Sequence, residues 1–319
     1  MLNRRTILAS LGTLSLSPRA LAQSKTTRLV VSFTPGGPVD SVARTIAEAF
    51  GRELGRTVIV DNKPGANGAI GALDVARSTP DGGTLWITSV GAVAINPSLY
   101  DKLGYDMARD FAPVSVVVNN VELLAANPAN PAGDAAAFVA AAKTRKEPTT
   151  LASSGIGSIP HLAMEQLASA TGANFLHVPY KGAAPAITDL MGGQVDGFFG
   201  DVTGLLSSVR AGRLKPLGLA SIRRHPSLPD VRTLEEQGVP GVDTNNWYAI
   251  FAPAKTPPAT LQALNAALRR ALDDPTLRDK LLQTGSEPAP STPEELTALL
   301  QQDTEKWAKL IREKTIKAE

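Results

Sequence analysis

Cysteine is absent from this 319-residue chain, and histidine is almost absent, with three residues in all. Without cysteine there can be no disulfide, no thiol nucleophile and no thiolate metal ligand. The histidines, His161, His177 and His225, include no pair four residues apart and no H-E-x-x-H sequence, which are the usual spacings of zinc ligands. We therefore expect no metal, no cofactor, and a fold that is held together by burial alone.

Long apolar runs are also missing, since no segment reaches the roughly 18 residues that a membrane helix needs. The first 22 residues combine Arg4 and Arg5, an apolar run over 7–16 and Ala20-Leu21-Ala22, which is typical of an export signal. The paired arginines fit a twin-arginine signal and an ordinary secretory signal equally, so the export route stays open. We expect a soluble, periplasmic mature protein that begins after residue 22.

Excess positive charge is lacking once that segment is removed. The formal net charge is +2, and removal of the segment's three arginines, with no acid among residues 1–22, leaves about −1. No basic surface for nucleic acid is therefore expected. With 43% hydrophobic and 19% charged residues, the composition is that of a globular protein, and the length favours two domains.

Seven β-rich runs alternate with helical patterns, at residues 28–33, 57–62, 84–89, 149–154, 174–180, 195–201 and 215–221. This alternation predicts an α/β fold with a mostly parallel sheet that is covered on both faces. The spacing breaks at 110–133 and 238–258, where a strand-like run leads into a proline-rich segment. Two crossings predict one discontinuous lobe, so we place lobe one at 26–124 plus 249–319 and lobe two at 125–248.

The C-terminal end is predicted to be helical. Thr292 and Glu295 have the spacing of a capping box, with Pro293 at the first helical position. Six apolar residues follow at helical spacing and should pack this helix onto lobe one: Leu296, Leu299, Leu300, Trp307, Leu310 and Ile311.

A glycine loop follows the first strand. The sequence Thr34-Pro35-Gly36-Gly37-Pro38 leads from Phe33 into a helix that begins at about Val39. Glycine leaves the backbone amides uncovered, and the first N–H groups of a helix are unpaired and carry a partial positive charge. An anion can bind there without any lysine. Asp40 in the first helical turn either borders this site or only caps its helix.

A second glycine loop repeats the design in the other lobe. A strand ends at Ser154, the loop is Gly155-Ile156-Gly157-Ser158, and a helix begins at about Ile159. Ser153, Ser154 and Ser158 add hydroxyl groups beside the amides. In a two-lobed α/β protein, ligands bind outside the carboxyl ends of the strands, so both loops should face one cleft.

Nucleotide binding and hydrolysis are weaker interpretations of these loops. Pro160 replaces the last glycine of a dinucleotide-binding G-x-G-x-x-G sequence, and neither loop has the lysine of a phosphate-binding P-loop. Ser158, His161 and Asp201 are the residue types of a serine hydrolase, but the chain has no G-x-S-x-G elbow.

Six segments resemble, in order and spacing, the Bug-type substrate-binding receptors of tripartite tricarboxylate transporters: FTPGGPVD, NKPGANGAIGA, SSGIGSIPHLA, HVPYKGAAPAITDLMGGQVD, VRTLEEQGVPG and WYAIFAPAKTPPATLQALNAAL. The resemblance covers essentially the whole mature chain. It implies the two-lobed periplasmic binding protein fold of the second type, a clamshell with two hinge crossings, and it implies no catalysis.

By this resemblance, the loops that grip a ligand carboxylate correspond to Phe33–Asp40 and Ser153–Ser158. The expected ligand-binding residues are Phe33, Thr34, Pro35, Gly36, Gly37, Asp40, Asn67, Gly68, Ser89, Ser153, Ser154, Gly157, Ser158, His161, Tyr180, Lys181, Gly182 and Asp201. Asn67 and Ser89 also suit plain turn and helix-cap positions. Lys181 could hold a second carboxylate or simply be solvated, whereas Asp201 would repel a carboxylate and suit an ammonium or amide group.

One departure from the family pattern affects the expected ligand. Pro38-Val39 stands where many members have other small or polar residues, so the identity of the ligand stays open.

The sequence therefore predicts an exported, monomeric receptor, with no catalytic residues, that captures a small carboxylate and delivers it to membrane permease subunits. Dicarboxylates, tricarboxylates, amino acids and aromatic acids are the candidate ligands. The alternatives are a periplasmic hydrolase that uses Ser158 and His161, and a periplasmic ligand sensor for a signalling partner.

Overall fold

A computed structural model describes residues 26–317 of the chain, and the expected export signal at 1–22 lies outside the described residues. The strands are β1 (Thr26–Val31), β2 (Thr57–Asn62), β3 (Thr84–Ser89), β4 (Phe111–Ala126), β5 (Thr149–Ser153), β6 (Phe175–Pro179), β7 (Gly197–Asp201), β8 (Lys215–Leu219), β9 (Asn245–Pro253) and β10 (Glu287–Pro288).

The helices of the described chain alternate with these strands. They are α1 (Pro38–Leu54), α2 (Ala69–Ala76), α3 (Asn96–Leu99), α4 (Met107–Asp110), α5 (Ala135–Thr144), α6 (Ile159–Thr171), α7 (Ala183–Met191), α8 (Val202–Arg210), α9 (Pro258–Asp273), α10 (Pro275–Gln283) and α11 (Pro293–Lys314). Two 3₁₀ turns lie at Ala66–Gly68 and Glu235–Gln237, and a π-helical turn lies at Gly91–Ile95. Among residues 26–317, none of the helices combines the length and the apolar character needed to cross a membrane.

All seven predicted strands form within two residues of their predicted positions, but the sheet is less parallel than expected. The strands follow the order β2-β1-β3-β9-β4-β7-β5-β6, and β8 and β10 also pair with β4. Pairs among β1, β2 and β3 and among β5, β6 and β7 are parallel. Every pair that involves β4 or β9 is antiparallel. The expectation fails there because these strands carry the chain between the lobes instead of closing a strand–helix–strand unit.

The two lobes are joined through β4. Its first part pairs with β9 from Phe111 to Val121, and its last residues, Glu122–Ala126, pair with β7 and β8. The two strands that cross between the lobes are β4 and β9. They lie in the segments 110–133 and 238–258, respectively, where the strand spacing of the sequence breaks. Because one continuous strand serves both lobes, the division at 124/125 and 248/249 stays a prediction.

The sheet is covered on both faces in each lobe, as predicted. In lobe one, α1, α9 and α10 bury a cluster with Ile46, Phe50 and Leu268 on one face. The π-helical turn and α11 bury a second cluster, with Trp86 and Trp307, on the other face. Lobe two has its own pair of clusters, which include Phe199 on one face and Phe198 on the other. Consecutive residues of β7 thus point to opposite faces, as the two-residue period of a strand requires.

The last helix is confirmed in detail. Thr292 and Glu295 form the capping box, and Leu296, Trp307 and Ile311 are buried. Leu299, Leu300 and Leu310 pack as partly buried residues against the same lobe-one cluster.

We predict that Thr292→Ala lowers the free energy of unfolding by about 1 kcal/mol, because the Glu295 N–H, 3.1 Å from Thr292 Oγ1, loses its acceptor. Denaturant unfolding would measure this loss. Thr297→Ala, at an exposed position of the same helix, is the matched control and should change the value by less than about 0.5 kcal/mol. Equal losses in the two variants would show that the cap does not stabilise the helix.

Candidate functional site

A cavity of about 40 Å³ lies between the lobes, beyond the carboxyl ends of the parallel strands. Nine of the expected binding residues line it: Phe33, Thr34, Gly37, Asn67, Ser89, Ser154, Ser158, Gly182 and Asp201. Nine others do not: Pro35, Gly36, Asp40, Gly68, Ser153, Gly157, His161, Tyr180 and Lys181. Both glycine loops thus contribute to one cavity, and about half of the expected residues have other positions.

Three helices begin at the cavity wall. Val39 of α1, Ile159 of α6 and Ala183 of α7 line it, each within the first two positions of its helix. Within residues 26–317, no protein group accepts a hydrogen bond from the backbone N–H of these three residues. None of the three helices has a side-chain cap. The partial positive charge of a helix N-terminus therefore reaches the cavity from both lobes.

Side-chain caps are present on only some of the described helices. Asp106, Asp134, Asp274 and Thr292 accept hydrogen bonds from the first turns of α4, α5, α10 and α11, whereas α2, α3, α8 and α9 lack such a cap. What distinguishes α1, α6 and α7 is that their uncapped first turns line the interlobe cavity.

Asp40 braces the first glycine loop and does not border the cavity. Its carboxylate accepts hydrogen bonds from Gly36 N at 2.8 Å, Arg44 Nε at 2.9 Å and Asn62 Nδ2 at 2.9 Å. Burial raises the pKa of Asp40, but these hydrogen bonds outweigh it and hold the pKa below its usual value. Gly36 has a φ of +78°, and Gly36 and Pro35 form the exposed outer side of this loop.

Two stacked histidines brace the second glycine loop from behind. The rings of His161 and His177 lie 3.9 Å apart and nearly parallel, at 6°. His161 Nδ1 accepts a hydrogen bond from Gly157 N at 3.2 Å, and His177 Nε2 lies 2.6 Å from Ser153 Oγ. Ser153 Oγ also bonds both backbone groups of Gly155, at 3.1 Å each. These residues hold the loop in shape and lie outside the cavity lining.

Ser158 and His161 do not form the pair that a hydrolase would need. Ser158 Oγ donates to Gly155 O at 2.7 Å, while His161 Nδ1 is occupied by Gly157 N. A nucleophile requires a base within hydrogen-bond reach of its oxygen. The serine that does contact a histidine, Ser153, is fully buried.

The strand-to-helix turn at Tyr180-Lys181-Gly182 contributes only Gly182 to the cavity. Tyr180 points away and donates its hydroxyl hydrogen to Asp189 at 2.6 Å. Lys181 is exposed to solvent. Gly182 has a φ of +114°, and a Cβ there would lie 2.8 Å from Thr34 Oγ1 of the other lobe.

The lobes contact each other around the cavity, so the cleft is closed. Asn67 Nδ2 of lobe one donates to Gly157 O of lobe two at 2.9 Å. A Cβ at Gly157 would overlap Leu99 Cδ2, and a Cβ at Gly204 would lie 2.9 Å from Pro38 Cγ. Gly68 packs within lobe one and adopts a φ of +94° that positions Asn67. Closure therefore places glycines of lobe two directly against side chains of lobe one, where a Cβ would have too little space.

Acidic residues lie at the hinge side of the cavity. Asp201, the N-cap residue of α8, accepts hydrogen bonds from Asn246 Nδ2 and Tyr248 Oη, both at 2.7 Å. Glu122 lies opposite Asp201 on β4 and is fully buried. Burial and the neighbouring Asp201 charge raise the pKa of Glu122 well above its usual value. Burial raises the pKa of Asp201 to about 6, while hydrogen bonds from Tyr248 and Asn246 limit the rise.

The list of expected binding residues omits seven lining residues, of which the first two lie inside the expected loop 33–40: Pro38, Val39, Ile159, Pro160, Ala183, Asn246 and Tyr248. Most of them are immediate neighbours of expected residues in the glycine loops. Asn246 and Tyr248 instead belong to the crossing strand β9. The polar pair Asn245-Asn246 before the apolar run of β9, inside a predicted crossing, was the available signal.

A wider groove of about 940 Å³ lies on lobe one, between residues 100–109 and α11. No residue of either glycine loop lines it, and all of its lining comes from lobe one. Among residues 26–317, no group of three or more His, Asp or Glu side chains is arranged to hold a metal ion. The interlobe cavity is thus the candidate site.

We predict that the stacked histidines make the protein less stable in mild acid. Burial, and for His161 also the neighbouring His177, lowers their pKa values from 6.5 to about 3 for His161 and about 4 for His177. Between these values and 6.5 the unfolded chain binds protons that the folded chain does not, so stability falls as the pH falls through that window. For His161 the loss between pH 7.5 and 5 is about 2 kcal/mol.

The His161→Asn variant keeps an acceptor for Gly157 N but cannot titrate. Between pH 7.5 and pH 5, its free energy of unfolding should therefore fall by about 2 kcal/mol less than that of the wild type. Denaturant unfolding at the two pH values measures the difference. Thr292→Ala, which keeps all histidines, should retain the wild-type pH dependence. Identical pH dependence in His161→Asn and wild type would contradict the prediction.

The comparisons with known proteins agree with this architecture. A family model described as "Tripartite tricarboxylate transporter family receptor" matches residues 42–316. The chain is 35% identical to a UPF0065 protein in the tcbD-tcbE intergenic region of Pseudomonas sp. strain P51, over 99% of this chain and 96% of that protein. It is 33% identical to Protein BugT of Bordetella pertussis, over 90% of this chain and 88% of that protein.

Two solved structures with bound ligands are also similar. Rpa4515 of R. palustris with adipate is 32% identical, with a TM-score of 0.88 and coverage of 91% of this chain and 97% of that chain. MatC of Rhodopseudomonas palustris with bound malate is also 32% identical, with a TM-score of 0.84 and coverage of 90% and 98%. The fold, its crossings and these matches agree. The chain belongs to the tripartite tricarboxylate transporter receptor family and is a Bug-type solute-binding receptor of the two-lobed periplasmic binding protein fold.

Proposed function

We propose that this receptor binds a small carboxylate in the interlobe cavity, in the periplasm, and delivers it to the membrane permease of a tripartite tricarboxylate-type transporter. The observation that carries the proposal is the convergence of three uncapped helix N-termini, from both lobes, on one closed cavity. Closure around a bound carboxylate would then bring donors from each lobe to the same group, so the ligand itself would stabilise the closed form.

The chemistry of the wall supports a carboxylate at the helix end of the cavity. Val39, Ile159 and Ala183 offer backbone N–H groups, and Thr34, Ser154 and Ser158 add hydroxyls. Hydrogen bonds to an ionised acceptor are shorter and stronger than those to a neutral one. Exclusion of water by the closed lobes strengthens them further. The bound adipate and malate of two relatives are both carboxylates, which favours the same ligand class here.

Export to the periplasm and transfer to a permease are supported by different observations. The relatives include periplasmic binding proteins, and residues 1–22 have the pattern of an export signal. The family model is named for a transporter receptor, which favours transport over the sensor alternative. The hydrolase alternative has no geometric support, because Ser158 and His161 are bonded to different groups.

Thermal unfolding with matched ligand pairs tests the proposal. We predict that at least one acid from a panel of dicarboxylates, tricarboxylates, amino acids and aromatic acids raises the melting temperature, whereas its amide analogue does not. A ligand at 100 times its Kd adds about 2.7 kcal/mol, which shifts the melting temperature of a protein of this size by several degrees. Equal shifts by acids and their amides, or shifts by neutral sugars alone, would contradict the proposal.

We further predict that Gly157→Ala weakens ligand binding at least tenfold, because a Cβ there would overlap Leu99 and hold the lobes apart. Gly172→Ala is the matched control. Its φ of +68° resembles the +73° of Gly157, but a Cβ at Gly172 meets no atom within 4 Å. Both substitutions introduce similar backbone strain, because both glycines have a positive φ. Only Gly157→Ala should therefore raise the Kd in calorimetry. Equal Kd values in the two variants would show that closure does not support binding.

A further inference from the structure

The cavity wall has one charged side chain, and it is an acid. Asp201 lines the cavity and is partly exposed to it, while no lysine or arginine of the described chain contributes to the wall. Arg44 and Lys181 do not line the cavity and so do not balance this charge. Arg44 pairs with Asp40 outside the cavity, and Lys181 is exposed to solvent. A ligand with negative charge at both ends would therefore meet an unbalanced carboxylate.

Asp201 keeps acceptor capacity after its protein contacts are counted. An ionised carboxylate has about four lone-pair positions. Asn246 Nδ2 and Tyr248 Oη occupy one position on each oxygen, at 2.7 Å each. A hydrogen bond with the Glu122 carboxyl group takes a third position. The orientation of the Asn246 amide is determined by its surroundings, because the same Nδ2 also lies 3.2 Å from Glu122 Oε1. The remaining position suits a hydrogen-bond donor on the ligand.

Asn67 adds a second acceptor to the wall. Its Nδ2 donates to Asn96 Oδ1 and to Gly157 O, both at 2.9 Å. Among the hydrogen bonds of residues 26–317, those of the Asn67 side chain involve Nδ2, and none is donated to its Oδ1. The wall therefore has donors at the helix N-termini and acceptors at Asp201 and Asn67.

We propose that the ligand is a zwitterion, namely an amino acid whose carboxylate faces the starts of α1, α6 and α7 and whose ammonium group faces Asp201. This inference rests on the proposed function and specifies its ligand class. A buried ion pair whose two partners are also hydrogen-bonded avoids the cost of an isolated buried charge. The same arrangement discriminates against an acid that lacks the ammonium group, because Asp201 would then stay unpaired.

Matched acids test the inference by isothermal titration calorimetry. The pairs are L-aspartate and succinate, L-glutamate and glutarate, and L-alanine and propionate, which differ only in the ammonium group. In wild-type protein we expect the best amino acid to bind at least tenfold more tightly than its deaminated partner. In Asp201→Asn we expect amino-acid affinity to fall at least tenfold and the difference within the pair to disappear.

Asp189→Asn is the matched control, because Asp189 accepts a tyrosine hydroxyl at 2.6 Å as Asp201 does but lies outside the cavity. It should leave both affinities unchanged. If Asp201→Asn does not fold, the wild-type pairs and Tyr248→Phe, which removes one partner of Asp201, still test the inference. Tyr248→Phe should change the ratio of the Kd values of an amino acid and its deaminated partner. An unchanged ratio would count against the inference.

The outcomes separate the inference from the proposed function. If deaminated acids bind as tightly as amino acids, or more tightly, the inference is wrong and the carboxylate receptor stands. If none of the six acids binds but an acid without an ammonium group does, the amino-acid assignment is wrong. If no acid binds and only neutral compounds do, the proposed function and the inference both fail.

Discussion

Unpaired backbone N–H groups at the starts of α1, α6 and α7 are the feature on which the proposed binding site depends. A helix cannot satisfy its own first N–H groups, and a side chain, water or ligand must supply the acceptor. The first turns of α1, α6 and α7 have no side-chain cap and line the interlobe cavity from both lobes. The two lobes each hold part of this donor set, so the proposed binding of a carboxylate and the closure of the lobes involve the same groups.

The residues around these helix starts act mainly as supports. Asp40 bonds the first glycine loop, and the stacked pair His161 and His177 bonds the second through Gly157 and Ser153. Both histidines stay neutral because burial lowers their pKa values. A loop held from behind keeps its amides in place before a ligand arrives, which lowers the ordering cost of binding. Asp40 and His161, which the sequence predicted to contact the ligand, therefore hold the glycine loops in position instead.

Much of the fold could be predicted from local pattern. The seven predicted strands are short β-rich runs separated by helical patterns, and the start of α11 was visible in the spacing of Thr292 and Glu295. Antiparallel pairing of β4 and β9 could not be predicted. Strand direction depends on where the chain crosses between the lobes, and the sequence of one segment does not contain that information.

The candidate site divides in the same way. The sequence by itself determined the two glycine loops and the helices that follow them, because backbone exposure at glycine and helix starts is a local property. Tertiary structure decided which residues face the cavity. Asn246 and Tyr248 reach Asp201 from a strand 45 residues away along the chain, and His161 turns toward His177 instead of Ser158. Side-chain direction depends on neighbours brought together by folding, so it could not be predicted from spacing.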